Sequence, residues 1–402
     1  MIGSGRDIAG ICSSLADKGY LVKFHGYSAL DKYLGLPALP YLWVETNADI
    51  SVLARLFENL RFPGAQVADG AIDTPEATCY FRCLDPTEEK ENNLSLSLFS
   101  FVYNWQSRRF HDPLGLYPLL RNIRSGKDLS VENEDTAVSL RDIRFNPEAG
   151  RYRLIMDSAM LLARYGIPDF FSGFSETLEH CRLTPPPGPE AQRAFLSCLV
   201  VSPRPDIGLE FLKLYGFIDE LWPEFACFDT VDHSKEFHPE GNVWNHTLET
   251  FRHRKAGTNG AFDLGLSLGL LLHDSGKPIS ESYGNHRFEG HAELGASAAV
   301  RFLERLEFKP SLIDDVFFLV KNHMLPAALK RLPLVKTREI MASPLFPTLM
   351  ELYRCDESSS FKGLDGYYKN SAAYQSYLKN VRNPYRSADG KKIGGRTIHR
   401  KM

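Results

Sequence analysis

Six residues between positions 246 and 356 have side chains that bind divalent cations: His246, His273, Asp274, His291, His323 and Asp356. His246 follows Val243 on the amphipathic stretch VWNHTLETFRHR. His273 and Asp274 close the most apolar helix pattern, FDLGLSLGLLLHD. His291 opens HAELGASAAVRFLERL, His323 sits near the end of SLIDDVFFLVKNHM, and Asp356 ends PTLMELYRCD. Val316 and Val320 precede His323 at helical spacing and share its side, which puts that imidazole on a buried face. A lone histidine on an apolar face is ordinarily a hydrogen-bonded core residue, and an HD dipeptide alone says little. Six such groups on successive helices are different, because burying them is costly unless they are paired or bound to metal. Imidazole and carboxylate suit Mn, Fe, Co, Ni or Zn, with Mg a further candidate. Adjacent His273 and Asp274 can each serve one of two neighbouring ions. Two ions about 3.5–4 Å apart clamp a phosphoryl group and acidify a water.

The elements that must position these groups follow from periodicity. From about Asp157 onward apolar residues recur at helical spacing, and TPPPGPE (184–190) and SPRPD (202–206) interrupt the helices. Gly265 and Gly269 lie on one side of the apolar helix and admit a close neighbour. The first ~120 residues mix strand-like YLWV (41–44) and LSLSLFSFVYNW (94–105) with helical SALDKYLG and ADISVLARLFENL. The expected architecture is a small α/β (α+β) head over 1–125, a helical middle over 126–230, an all-α domain over 231–380, and a basic tail over 381–402. The chain should be predominantly helical, with no internal repeat.

Composition bounds the rest. A chain of 402 residues with 43% hydrophobic and 24% charged residues is not disordered. A net charge of −3 gives no global basic field for nucleic acid. The apolar run LGLSLGLLL is nine residues, against roughly 20 to cross a bilayer. MIGSGRDIAG has no signal-peptide pattern, so a cytoplasmic location is expected. The seven cysteines include no CxxC, and Cys79 and Cys83 have no second pair nearby, so buried free thiols are expected in place of structural zinc.

His246, HDSGK (273–277), GH (290–291), NH (322–323) and Asp356 together resemble the signature of the HD-domain metal-dependent phosphohydrolases. That resemblance implies one or two divalent ions on His246, His273, Asp274, His291, His323 and Asp356. It gives Asp274 and Lys277 catalytic roles, Lys277 approaching substrate phosphate; its plainer alternative is a lysine capping the helix end after Gly276. His286 and Arg287 are further candidates for phosphate contact, or a solvated loop. The wider chain resembles bacterial tRNA nucleotidyltransferases and poly(A) polymerases, the class II CCA-adding family. EFHPEGNVWNHTLET (236–250), RFEGHAELGA, SPRPDIGLEFLKLYGFIDELWPEF, FHDPLGLYPLLR (110–121) and GYLVKFHGYSALDKYLGLP (19–37) carry this likeness.

The head departs from that family. Tyr41 and Trp43 stand where the family has its DxD pair, and Ser95 where it has a third carboxylate; a slipped alignment offers Glu45 or Asp49 instead. Two-metal nucleotide transfer cannot run on Tyr, Trp and Ser. The leading expectation is therefore a metal-dependent phosphohydrolase acting on a phosphodiester or phosphomonoester, such as a nucleotide, a 2′,3′-cyclic phosphate or an RNA end. The head should be inactive. The rivals are an RNA- or nucleotide-binding protein of the same shape, and an active nucleotidyltransferase with an atypical head. Partners expected are the phosphate ester and possible tRNA, with no membrane. RNA contact would fall on RYR (151–153), RHRK (252–255), KRLPLVKTR (330–338) and Lys391 to Lys401.

Overall fold

The computed structural model describes residues 7–64, 67–84, 94–126, 143–167, 174–232, 241–282, 288–360, 363–383 and 385–392. It divides into two compact units, residues 1–222 with 256–264, and residues 223–255 with 265–402.

Among its described residues the first unit holds six strands: β1 (Lys23–Phe24), β2 (Tyr41–Thr46), β3 (Gly70–Asp73), β4 (Thr78–Cys83), β5 (Val102–Asn104) and β6 (Arg109–His111), in sheet order β3-β4-β2-β1-β5-β6. β2 and β4 are parallel, Tyr41 opposite Thr78 and Trp43 opposite Tyr80. A parallel pair needs a crossover, and here it carries a helix and the β3–β4 hairpin. The other pairs are antiparallel. Four described helices lie in the head: α1 (Ile8–Ala16), α2 (Tyr27–Leu34), α3 (Ile50–Leu56) and α4 (Tyr117–Arg124). Asp49 caps α3 by accepting from the Val52 amide at 2.8 Å. YLWV lies within β2 as its β-formers suggest. LSLSLFSF does not form the strand expected of it. Leu96 makes an isolated antiparallel bridge with Phe145, Ser97–Ser100 is a 3-10 helix, and the strand itself starts at Val102. The reason is burial on more than one side: Leu96, Leu98, Phe99 and Phe101 are all inside, which strict alternation cannot achieve.

Five further described helices belong to this unit: α5 (Arg151–Met160), α6 (Phe174–Glu179), α7 (Pro189–Val200), α8 (Pro205–Leu214) and α9 (Phe217–Leu221). Pro189 and Pro205 open their helices, where a missing N–H costs nothing. Arg164, in the π-turn Leu161–Tyr165 that extends α5, donates through Nε to Asp31 of α2 at 2.8 Å, and the Tyr165 hydroxyl donates to the same oxygen at 2.9 Å. Burial pushes the Asp31 carboxyl up while Arg164 opposes it.

The second unit is helical: α10 (Val243–Arg252), α11 (Leu264–Leu272, its first residue counted with the first unit), α12 (Lys277–Ser282), α13 (His291–Arg305), α14 (Pro310–Asn322), α15 (Leu325–Ala328), α16 (Leu334–Met341), α17 (Phe346–Ser358) and α18 (Asp365–Arg382). From Leu266 to Leu272 every residue of α11 is buried, so it is central. A Cβ on Gly269 would stand 3.1 Å from both Leu319 of α14 and Leu352 of α17, which is the close approach read from its sequence. Phe225 and Phe302 pack edge to face at 5.0 Å beneath α13. Burying one such ring contributes about 2–3 kcal/mol. Among the described residues no helix is long and apolar enough to cross a membrane.

Candidate functional site

The second unit brings all six candidate ligands together. His246 comes from the middle of α10, His273 and Asp274 from the turn after α11, His291 from the first turn of α13, and His323 from the end of α14. Asp356 lies in the last turn of α17, which runs on to Ser358. His246, His273 and His323 are 1% exposed, Asp274 2% and His291 8%, whereas the Asp356 side chain is 23% exposed.

Asp274 is the hub. Its Oδ2 lies 3.3 Å from His273 Nε2 and 3.6 Å from His246 Nε2. Its Oδ1 lies 3.6 Å from His291 Nε2 and 3.9 Å from His323 Nε2. Asp356 Oδ1 stands 3.1 Å from His246 Nε2. Two clusters result, His246–His273–Asp356 and Asp274–His291–His323, with the second Asp274 oxygen turned towards the first.

The outer ring nitrogens decide which atoms face inward. Nδ1 of His273 meets the Leu270 carbonyl at 2.8 Å, that of His291 the Phe288 carbonyl at 2.7 Å, and that of His323 the Val320 carbonyl at 2.7 Å. A carbonyl only accepts, so each Nδ1 carries the hydrogen and each neutral Nε2 presents a lone pair. His291 and His323 Nε2 are 3.0 Å apart, and His246 and His273 Nε2 are 3.3 Å apart. Buried lone pairs facing each other at that separation call for a cation between them. Ligand atoms at about 2.1 Å from a shared ion lie about 3.0–3.4 Å apart. The side chains present therefore fit divalent ions, and nitrogen with oxygen donors suits a first-row metal.

The electrostatics agree. Burial would raise Asp274, but the neighbouring His273 and Lys277 hold it well below the carboxylate range. Asp356 is likewise held low, burial being overcome by the neighbouring His246. Burial pushes His291 down, Asp274 opposing. His323 falls to about 3 through burial and the charge of His273. These groups favour anionic carboxylates and neutral imidazoles, the protonation states of ligands.

Lys277 opens α12, so it does not cap a preceding helix; its Nζ lies 2.6 Å from Asp274 Oδ2. His286 and Arg287 lie outside the described residues. The turn before Lys277 is pressed against α13: a Cβ on Gly276 would fall 1.9 Å from the His291 carbonyl oxygen and 2.5 Å from the Gly295 nitrogen. Phe288, whose carbonyl orients His291, has φ 54°, strained for a bulky residue. Sequence reasoning passed over Phe288 and over Ser359, which meets His246. Their only sequence signal is proximity to a candidate ligand.

The head offers no comparable cluster among the described residues. Tyr41 stacks on Tyr80 with centroids 5.4 Å apart, and its hydroxyl accepts from Arg193 Nε at 3.3 Å. Trp43 packs on Tyr27 and Tyr80. Ser95 and Tyr27 both donate to Asp157, a carboxylate from α5 that the sequence did not single out. Glu45 is 3.9 Å from Arg82, and Asp49 is committed to its cap. Trp43, Tyr27, His25, Arg153 and Asp157 line a cavity of about 670 Å³ within the first unit. The side chains at positions 41, 43 and 95 do not fit a divalent ion.

Two of the basic stretches are partly used internally. Arg151 holds Glu220 at 2.9 Å, Arg153 meets Asp157 at 3.5 Å, and Arg254 is buried on Ser267 at 2.8 Å. Lys330, Arg331, Lys336 and Arg338 are exposed, as are Lys391 and Lys392, while 393–402 lies outside the described residues. The cysteines are free, with Cys12, Cys79, Cys198 and Cys355 buried and Cys227 exposed.

Residues 243–352 match the family model of the HD domain. The chain is 33% identical over 142 residues to the CC-adding tRNA nucleotidyltransferase of Thermus thermophilus, 34% of this chain and 32% of that protein. It is 29% identical over 178 residues to the multifunctional CCA protein of Halorhodospira halophila, 42% and 41% of the two chains. The matched stretches thus span a third to two fifths of these relatives. Among solved structures, a tRNA-processing enzyme aligns over 93% of this chain and 95% of its own at 13% identity and a TM-score of 0.45. The Bacillus stearothermophilus CCA-adding enzyme, solved with CTP, aligns over 95% and 86% at 11% identity and a TM-score of 0.45.

Proposed function

We propose, starting from the HD domain at residues 243–352, that this chain is a metal-dependent phosphohydrolase of phosphodiesters or phosphomonoesters, with nucleotides, 2′,3′-cyclic phosphates and RNA ends as the substrate class. The observation that carries the proposal is the pair of facing imidazole couples, at 3.0 Å and 3.3 Å, on either side of one buried carboxylate. His246, His273 and Asp356 would hold one ion, and His291 and His323 the other, with Asp274 shared. Divalent ions there would polarise the phosphoryl oxygens and lower the pKa of an attacking water. Asp274 orients both imidazole couples. Lys277, 12% exposed beside it, supplies positive charge at the mouth of the site where a phosphate would arrive. Asp356 is the most open ligand and marks the side from which substrate and water approach.

The head, on this reading, does not transfer nucleotides. What supports that is the packing of Tyr41 and Trp43 and the engagement of Ser95 by Asp157. Metal analysis with hydrolysis of a chromogenic phosphodiester tests the main proposal. Up to two ions per chain are expected, and His273→Ala or Asp274→Ala should abolish hydrolysis with loss of metal. Protein that cannot be loaded with any divalent ion would overturn the reading. No incorporation of CTP or ATP into tRNA is expected with Mg²⁺ or Mn²⁺. Robust addition, lost on changing Glu45 or Asp49, would restore the nucleotidyltransferase alternative.

A further inference from the structure

Three of the four inward-facing imidazoles are held by backbone: the carbonyls of Leu270, Phe288 and Val320 accept from Nδ1 of His273, His291 and His323. His246 is held differently. Its Nδ1 lies 3.2 Å from the hydroxyl oxygen of Ser359, one residue beyond α17 and 113 positions away in sequence. That hydroxyl has one hydrogen and spends it on the carbonyl of Asp356, 2.6 Å away. Its lone pairs are then what face His246, so the His246 ring must donate from Nδ1. With the hydrogen fixed on Nδ1, Nε2 carries the lone pair, and Nε2 is the atom that stands 3.1 Å from Asp356 Oδ1 and 3.3 Å from His273 Nε2. Ser359 is 7% exposed, so no bulk water competes freely for the contact.

We infer that Ser359 is a positioning residue that sets the tautomer of His246, and so tunes the affinity of the His246–His273–Asp356 half of the metal centre alone. The inference rests on the metal-centre reading above. Ser359 bonds the main chain of one ligand, Asp356, while orienting the ring of another, His246, so one hydroxyl joins α17 to α10 at the more open ion. The opposite half, Asp274–His291–His323, is oriented by carbonyls that no substitution removes. The two ions therefore differ in how they can be adjusted: one by side-chain replacement, the other only by moving backbone. Outer hydrogen-bond partners of histidine ligands are typically worth 10–100-fold in metal affinity.

The test is calorimetric titration of the metal-free full chain with Mn²⁺, and separately the visible absorption spectrum on Co²⁺ loading. Wild type should take up two ions. Ser359→Ala should weaken one of them by about tenfold or more and leave the other within error, and the absorption of only one Co²⁺ equivalent should change. Ser359→Thr, which keeps the hydroxyl, should restore the weakened site; Ser359→Cys, of similar volume but a weak acceptor, should behave like Ser359→Ala. Far-ultraviolet circular dichroism confirms that each variant is folded. Equal weakening of both ions, no weakening in either Ser359→Ala or Ser359→Cys, or no rescue by Ser359→Thr would overturn the role of Ser359 while leaving the metal centre intact. Wild-type protein that binds no ion would instead overturn the metal centre itself, and this inference with it.

Discussion

His25 lines the cavity of the first unit, with Glu45, Arg82 and Arg153 around it. Burial brings its imidazole down to about 4, Glu45 working against the fall and the two arginines adding to it. An unfolded chain would protonate this histidine near pH 6.5. Between those two values the unfolded state binds the proton and the folded state does not. His25 therefore costs no stability above about pH 6.5 and removes it progressively as pH falls towards 4. Because the ring is only half-buried, we expect a loss of about 1–3 kcal/mol across that window. Urea denaturation at pH 7 and pH 4.5 should show His25→Gln losing less stability on acidification than wild type. Parallel losses in the two proteins would remove His25 as the source. The residue was not readable as special from sequence, since its environment is assembled from a strand, a helix and a neighbouring strand distant in the chain.

At the scale of elements, two glycines in the HD domain carry opposite expectations. Gly276 sits where the turn after α11 meets the start of α13, with backbone atoms 1.9 Å and 2.5 Å from a would-be Cβ. Backbone cannot swing aside as a side-chain tip can, so Gly276→Ala must push α13 away and take His291 with it. We expect a destabilisation of at least about 3 kcal/mol and loss of the ion held by His291 and His323. Gly269 meets the tips of Leu319 and Leu352 at 3.1 Å, with the Leu319 Cβ at an ordinary 3.5 Å. There, the gain of about 1 kcal/mol in helix propensity offsets most of the crowding, and Gly269→Ala should leave the melting temperature within a few degrees and metal content unchanged. Thermal melts with metal analysis of both variants check the contrast; equal behaviour would mean that the turn relaxes. The six candidate ligands could be picked out beforehand because each sits at the end or on the apolar face of a periodic helix, where a polar side chain needs a reason. Gly269 was legible for a similar reason, by its spacing on an apolar helix. Gly276 and Ser359 were not, because their importance lies in backbone approach and a hydrogen bond between elements far apart in sequence. The Leu–Ser alternation at 94–98 misled for a related cause: only Leu96 pairs, in a single bridge with Phe145, and a 3-10 helix follows while Leu96 and Leu98 are buried in the interior.

At the scale of the molecule, a net charge of −3 leaves any RNA affinity to local patches. Arg151, Arg153 and Arg254 already have acidic or interior partners, which leaves Arg252 (exposed, though paired with Glu249), Lys255, the exposed cations of 330–338 and the tail. If single-stranded RNA ends are held there, affinity should fall with salt at a log–log slope of about −0.7 per phosphate neutralised. Removing residues 391–402 should make the slope shallower by a few units where the tail takes part. Filter binding of tRNA at two salt concentrations, with and without the tail, measures this. No binding at low salt would strike RNA from the partners and leave a small phosphate ester.

The chain passes between its two units three times, after Trp222, after Lys255 and after Leu264. A single protease cut at any one crossing would leave the halves tethered by another. The same threading orders events during synthesis. The first unit is not complete until Leu264 has been made, by which time His246 is the sole one of the six candidate ligands present. The remaining five arrive over the following stretch to Asp356, so the centre can close only after the head already has all of its chain. Domains generally fold as units, N-terminal first, and here that order places the cation-binding chemistry at the end of the ribosome's work, on a scaffold whose other half is already built.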